Sequence, residues 1–175
     1  MAVSVEGLAS AVKGRVVEAG APDYDEARAL YNAMIDKRPA LIAQVADVDD
    51  VVTAVNFGRE NGLELAIRGG GHNGAGLGSV DGGLMIDLAR LDSVDVDPTA
   101  RMVMIGGGAK LGDVDAATNA HGLATPAGII ASTGAGGLML GGGIGQGRPA
   151  AASARVTGRR GAPARPLARR LGRGR

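Results

Sequence analysis

The 175-residue sequence has no cysteine and no tryptophan, and its aromatic residues are limited to Tyr24, Tyr31 and Phe57. Without cysteine the chain can form no disulfide bond, no thiolate metal site and no thiol nucleophile. Two histidines, His72 and His121, are too few for a multi-histidine metal site. The N-terminus lacks the basic and apolar regions of a signal peptide, so we expect a cytoplasmic protein.

Acidic residues are missing from the last 30 positions. Residues 1–145 contain ten Lys or Arg and all 18 Asp or Glu, whereas residues 146–175 contain nine Arg and no acid. Arg, Ala, Gly and Pro fill 24 of the 30 tail positions, and this composition buries too little apolar surface to offset the entropy of ordering. We therefore expect a disordered tail that begins at Gly145/Gln146. A GC-rich gene read out of frame would encode such a tail, and we take a frameshift as its origin.

The nine arginines also suggest nucleic-acid binding through phosphate contacts. No aromatic residue lies between these arginines, and a solvated tail explains them better. We therefore expect no nucleic-acid partner.

A 26-residue stretch, residues 122–147, carries no charge and is long enough to cross a membrane. Ten of its residues are Gly and one is Pro126, and these residues oppose a spanning helix. We expect a buried, ligand-contacting segment and no membrane insertion.

Helices are predicted at residues 23–35, 47–61 and 110–121, where apolar residues recur with helical spacing. Asp23 and Asp47 are the expected caps of the first two, and Gly62 and Gly122 end the second and third. The apolar stripes are Ala27, Leu30, Tyr31 and Met34; then Val48, Val51, Val52 and Val55; then Leu111, Val114 and Thr118.

Strands are predicted at residues 40–45, 63–68 and 83–88, with a hairpin formed by 93–96 and 101–105. The first two strands flank the second helix, so this βαβ unit should place them parallel. The fold class is therefore α+β. We divide the chain into a helical lead-in (1–35), a partial ligand-binding domain (36–145) and the tail (146–175).

Glycine makes up 31 of the 175 residues, and much of it lies in two uncharged clusters. Gly69-x-Gly71-x-x-Gly74 follows a strand as a Rossmann fingerprint does, but the residues after it cannot form the required helix. Lys110 lacks the flanking residues of a P-loop. Glycine-rich turns can instead bind an anion through successive backbone N–H groups. Both clusters, at 68–74 and 132–145, fit that interpretation; tight turns without a ligand are the alternative.

Four ordered motifs carry a resemblance: 68–74 (RGGGHNG), 81–88 (DGGLMIDL), 106–109 (GGGA) and 136–145 (GGLMLGGGIG). In these motifs the chain resembles the FAD-binding domain of PCMH-type (vanillyl-alcohol oxidase) flavoproteins. Within that superfamily it is similar to the berberine-bridge-enzyme-like, 6-hydroxy-D-nicotine-oxidase-like FAD-linked oxidoreductases. The resemblance covers about residues 24–145.

The resemblance implies FAD as cofactor, with His72 joined covalently to the 8α-methyl carbon of the flavin. Some relatives carry a second link through a cysteine near Ile130, which this chain lacks. Arg68 is expected either to pair with phosphate or to end a surface strand, and Asp87 to be structural. The expected cofactor-binding residues are Arg68, Gly69, Gly70, Gly71, His72, Asn73, Gly74, Ser132, Thr133, Gly136, Gly137, Gly141 and Gly142.

The resemblance ends at Gly145, where relatives continue into the rest of the FAD domain and a substrate domain. We therefore interpret the chain as a truncated FAD-dependent oxidoreductase whose family moves a hydride from a small-molecule C–H bond to flavin. The alternative is a catalytically inactive remnant of such an enzyme, and we expect little or no activity from this chain.

Overall fold

The computed structural model describes residues 5–141, and the elements and contacts below lie within that range. In chain order the elements are α1 (Val5–Ala11), β1 (Arg15–Glu18), α2 (Tyr24–Arg28), β2 (Leu41–Gln44), α3 (Val48–Glu60), β3 (Leu65–Arg68), β4 (Leu84–Asp87), β5 (Val94–Asp97), β6 (Met102–Ile105), α4 (Leu111–Asn119) and α5 (Ala135–Leu140).

The main sheet has four strands in the order β1-β2-β4-β3. β4 pairs in parallel with both β2 and β3, and β1 pairs antiparallel with β2. The predicted parallel arrangement of the βαβ strands is confirmed, although β4 lies between them. β5 and β6 form the predicted antiparallel hairpin. The mixture of parallel and antiparallel sheets confirms the α+β class.

Alternating residues of the main sheet fill two apolar layers. Leu41, Ala43, Leu84 and Ile86 pack with Leu8 and with α3 on one face. Ile42, Met85 and Val17 pack with Tyr24 and Ala27 of α2 on the other face. This pattern follows from the two-residue period of a strand, and it leaves β4 buried on both faces.

Helix α3 begins where the sequence predicts, because the Asp47 carboxylate accepts a hydrogen bond from the Asp50 N–H. Half of the predicted valine stripe is confirmed, because Val51 and Val55 pack against the core, and the other half is wrong. Val48 and Val52 are 44% and 52% exposed, whereas Ala54 and Gly58 are buried. Small residues face inward because α3 lies close to its neighbours: a Cβ at Gly58 would overlap the Leu65 side chain.

Asp50 is the polar member of that buried face. Its carboxylate accepts hydrogen bonds from the backbone N–H groups of Lys13, Gly14 and Ala46. Burial acts to raise the pKa of Asp50, but these donors together outweigh it and hold the pKa below its ordinary value. The residue therefore ties the start of β1 to the start of α3.

The helix predicted at residues 23–35 is wrong beyond Arg28. The Asp23 side chain pairs with Arg15 and caps nothing. The Arg28 guanidinium bonds to Asp36, and the Tyr31 N–H donates to the Gly71 carbonyl. These contacts draw residues 29–37, which we call the strap, out of helical geometry and across the loop that follows β3.

The segment 1–35, expected as a helical lead-in, includes strand β1, which is part of the main sheet. The predicted boundary at 145/146 and the tail lie outside the described residues. Within residues 5–141, no helix combines the length and the apolar character needed to span a membrane.

The third predicted helix is confirmed as α4, with Leu111, Val114 and Thr118 all buried. Together with Val103 of β6 and Ala135 of α5, its apolar residues form a second core cluster. An isolated bridge pairs Lys110, the N-cap of α4, with Gly134, so the second glycine cluster is attached to this core cluster through α4.

Candidate functional site

Three glycine segments, which are residues 69–71, 106–108 and 134–137, meet at the end of β3. A Cβ at Gly70 would overlap the backbone of Gly134, and a Cβ at Gly134 would overlap the backbone of Gly70. A Cβ at Gly69 or at Gly136 would lie 3.0 Å from the carbonyl oxygen of Gly107. The segments therefore approach as closely as bare backbones allow, and larger residues would separate them.

A cavity of about 310 Å³ opens beside this contact. Its volume lies at the small end of the range for ligand pockets. The wall combines glycine backbone with three apolar side chains, Ile67, Leu77 and Leu138. Its remaining lining residues are Arg68, Gly69, Gly70, Gly71, His72, Asn73, Gly78, Thr133, Gly134 and Gly137.

The backbone N–H groups of the first glycine segment are available to a ligand. Within the described part of the chain, residues 69–74 donate no backbone N–H hydrogen bond to another protein group. Buried or ligand-facing N–H groups need an acceptor, and a run of them in a glycine turn suits an anion. This arrangement fits the diphosphate of a dinucleotide.

His72 lines the cavity and is half-buried. Its Nε2 lies 3.0 Å from the Ser132 Oγ, which belongs to the second glycine cluster. The Tyr31 ring stacks on the imidazole with a centroid separation of 3.8 Å and an interplanar angle of 19°. The imidazole is therefore held at one edge and on one face.

Arg68 ends β3 with its side chain 11% exposed, against 4% for its partner Asp87. The two groups lie 2.7 Å apart, and the guanidinium also donates to the Ala29 carbonyl of the strap. Arg68 is thus not a surface strand end. The buried Asp87 carboxylate neutralises its charge. Through its contacts with Asp87 and Ala29, Arg68 connects the main sheet and the strap to the cavity wall. Asp87 has the structural role expected of it.

The loop after His72 is shaped by side chains as well as glycine. The Asn73 Oδ1 accepts hydrogen bonds from the N–H groups of Ala75 and Leu77. The Lys37 Nζ, from the strap, donates to the carbonyl groups of Gly76 and Ser79. These bonds fold the loop back over the strap and keep Leu77 at the cavity.

The predicted site residues fall into four groups. Eight line the cavity: Arg68, Gly69, Gly70, Gly71, His72, Asn73, Thr133 and Gly137. Ser132 contacts His72 and Gly136 contacts Gly107, whereas Gly74 and Gly141 are exposed outside the lining. Gly142 lies outside the described residues.

Sequence reasoning missed Tyr31, Gly107, Ile67, Leu77, Gly78, Gly134 and Leu138. Tyr31 was assigned to a helix, so its contact with a residue 41 positions away left no local signal. The Gly106-Gly107-Gly108 run was noted for its resemblance, yet nothing in it indicated which carbonyl the other glycines would approach.

The mixed sheet and the glycine-lined cavity beside it are consistent with a dinucleotide-binding protein. Residues 39–159 match the family model described as "FAD binding domain". The chain therefore belongs to the FAD binding domain family, and the cofactor of that family is FAD. The match extends past residue 145.

Among its relatives is the uncharacterized FAD-linked oxidoreductase YgaK of Bacillus subtilis, 38% identical over 75% of this chain. The (R)-6-hydroxynicotine oxidase of Paenarthrobacter nicotinovorans is 34% identical over 77% of it. The chain spans 29% of the length of each of these two relatives.

A solved structure of the glucooligosaccharide oxidase from Acremonium strictum superimposes with a TM-score of 0.73 at 30% identity. The match covers 79% of this chain and 30% of that one. That oxidase carries a 6-S-cysteinyl, 8α-N1-histidyl FAD. Together with the other comparisons, this match confirms the family assignment made from the sequence.

Proposed function

We propose that the cavity beside the three glycine segments binds FAD and that His72 is its covalent attachment point. The observation that carries this proposal is the mutual approach of Gly70 and Gly134, which brings two backbones to one cavity that His72 also lines. The free N–H groups of residues 69–74 would hold the diphosphate, and Ser132, Thr133, Gly136 and Gly137 would contact the other side of the cofactor.

His72 suits covalent attachment because a neutral imidazole is a nucleophile near neutral pH. The attachment would be single, because the chain contains no cysteine for a second link. Arg68 would shape the wall rather than bind phosphate directly, since Asp87 and the Ala29 carbonyl occupy its guanidinium.

Bound FAD would supply hydride acceptance from a C–H bond of a small-molecule substrate, with reoxidation by dioxygen or another acceptor. The chain's own groups would orient the cofactor and exclude water from its inner side. A second candidate is an FAD-binding chain without oxidoreductase activity. It is favoured by the cavity lining, whose titratable side chains among the described residues are His72 and Arg68, the latter paired with Asp87.

The test begins with the purified chain and added FAD. We expect flavin absorbance to stay with the protein after gel filtration, and the colour to remain in the pellet after acid precipitation. His72→Ala should release the colour into the supernatant while non-covalent binding persists. A wild-type chain that stays colourless in excess FAD would contradict the proposal. Substrate-dependent oxygen uptake by the coloured chain then separates the two candidates.

A further inference from the structure

Two side chains from distant parts of the sequence hold the His72 imidazole. Ser132 contacts its Nε2 edge at 3.0 Å, and Tyr31 covers one of its faces. Tyr31 and Ser132 are both exposed, so neither contact is a by-product of core packing. What both side chains do contact is the imidazole, so we read their effect as fixing its orientation.

The contact at Nε2 distinguishes the two ring nitrogens. Each imidazole nitrogen has one in-plane direction for either a proton or a lone pair. The Ser132 hydroxyl occupies that direction at Nε2, so a new bond at Nε2 would require the contact to break. Within the described residues, Nδ1 has no hydrogen-bond partner. Nδ1 is a nucleophile only if the proton is on Nε2, where Ser132 can accept it.

We propose that Ser132 and Tyr31 are positioning residues for His72: Ser132 holds the proton on Nε2 and thereby presents the Nδ1 lone pair, while Tyr31 fixes the plane of the ring. This inference rests on the proposed function, because it concerns the attachment of FAD to His72. It assigns roles to two residues that do not themselves react.

These residues would prepare His72 for a reaction in which one C–H bond and one N–H bond are lost. The Nδ1 lone pair forms a bond to the 8α-carbon, and one C–H bond of that methyl group breaks. The imidazole loses its Nε2 proton through the Ser132 hydroxyl. The two protons and two electrons released pass to dioxygen, a two-electron acceptor, which becomes hydrogen peroxide.

The strap explains how Tyr31 keeps its place although 66% of it is exposed. Its N–H donates to the Gly71 carbonyl, one residue before His72. The strap is fixed at both ends, by the Arg68 bond to the Ala29 carbonyl and by the Lys37 bonds to the Gly76 and Ser79 carbonyls. This backbone hydrogen bond therefore holds the Tyr31 ring in place against the His72 imidazole.

The first experiment measures the tautomer of His72 in the ¹⁵N-labelled full chain without FAD, from two-bond ¹H–¹⁵N correlations. His121 is the other histidine in the sequence and is exposed, so it serves as an internal reference. We expect His72 to carry its proton on Nε2 more completely than His121. Ser132→Ala should remove that difference, and Ser132→Thr should retain it. A proton on Nδ1 of His72 in the wild-type chain would overturn the inference.

The second experiment follows covalent attachment of added FAD by intact-protein mass after denaturation. We expect Ser132→Ala to slow attachment by about tenfold or more, in the range of other orienting partners, and Ser132→Thr to restore it. Tyr31→Ala should slow it several-fold, whereas Tyr31→Phe, which keeps the stacked ring, should match wild type. The matched controls are Ser10→Ala and Met34→Ala; Met34 lies in the strap and is 90% exposed.

The outcomes separate the inference from the proposed function. A wild-type chain that binds no FAD would contradict the proposed function. A wild-type chain that attaches FAD at the same rate as Ser132→Ala and Tyr31→Ala would overturn the positioning roles and leave the proposed function intact. Unfolding curves that match wild type for these surface variants tie any slowed attachment to the imidazole rather than to the fold.

Discussion

The main sheet and the glycine site are held together by opposite means. In the sheet, apolar side chains from both faces of β4 fill the space between elements, and stability follows the area they bury. In the site, the absence of side chains lets backbones touch, as at Gly70 and Gly134. Substitutions should therefore lower stability in proportion to lost volume in the sheet, whereas added volume should disrupt the site.

The largest expected effect lies where the two regions join. Arg68→Met leaves the Asp87 carboxylate buried and unpaired, which we expect to cost about 3–5 kcal/mol of unfolding free energy. Adding Asp87→Leu should recover most of that loss, because replacing both partners of a buried pair is often close to neutral. Urea denaturation of the single and double variants measures both. Equal losses in the two variants would mean that the pair does not couple the regions.

The next effect sharpens the contrast on the glycine side. Gly70→Ala adds a Cβ where the backbone of Gly134 already lies, so the segments must separate; we expect a loss of about 1–3 kcal/mol and loss of FAD binding. Gly74→Ala is the matched comparison: its Cβ would enter open space and the backbone N–H is retained, so FAD affinity should stay close to that of wild type. FAD titration by fluorescence quenching checks both variants. Unchanged affinity in Gly70→Ala would show that the cavity does not need this close approach.

Asp50, beside the main sheet, stabilises the fold through hydrogen bonds, so the effect of replacing it should depend on pH. Asp50→Asn replaces one carboxylate oxygen with an NH₂ donor, so the N–H groups of Lys13, Gly14 and Ala46 cannot all keep their acceptor. We expect a loss of about 1–3 kcal/mol at neutral pH. Since folding lowers the pKa of Asp50, its contribution is present above the unfolded pKa near about 4 and fades as pH falls through the folded value. The gap between wild type and variant should therefore close in acid. Urea curves at several pH values test this, and a gap that widens in acid would refute it.

The smallest effect tests the sheet alone. Ile86→Val removes one methylene from the centre of β4, and we expect a loss of about 0.5–1.5 kcal/mol with FAD affinity unchanged. Thermal unfolding and the same FAD titration provide the measurement. If Ile86→Val changed FAD affinity as much as Gly70→Ala does, the main sheet and the glycine site would not respond differently to substitution.

Local patterns predicted the elements whose contacts lie near in sequence. The Asp47 cap, the Gly62 stop and the buried face of α4 follow from residues three or four positions apart, and these predictions are confirmed. Strands β2, β3 and β4 were predicted from apolar runs, whereas β1 of the same sheet was missed. The position of β4 between β2 and β3 is a long-range property that no run encodes. The same limit explains the exposure of Val48 and Val52 in α3, where close packing favours small residues at the interface.

The candidate site was predicted where glycine and histidine mark it and missed where ordinary residues complete it. His72 and the flanking glycines stand out by composition, whereas Tyr31 was assigned to an amphipathic stripe. Its neighbours Leu30 and Met34 fit that stripe equally well. Only the Arg28 bond to Asp36 and the Tyr31 N–H bond to the Gly71 carbonyl show that the helix stops. Tertiary contacts here override a correct reading of local preference.

The strand order has a consequence for the time at which the main sheet can form during synthesis. β2 and β3 are translated before the strand that separates them, so neither has its central neighbour until residue 87 has left the ribosome. Until then, the edges of β2 and β3 that pair with β4 have no partner strand. Unpaired strand edges leave a growing chain open to non-native association. β4 therefore completes the main sheet only after β2, α3 and β3 have been translated.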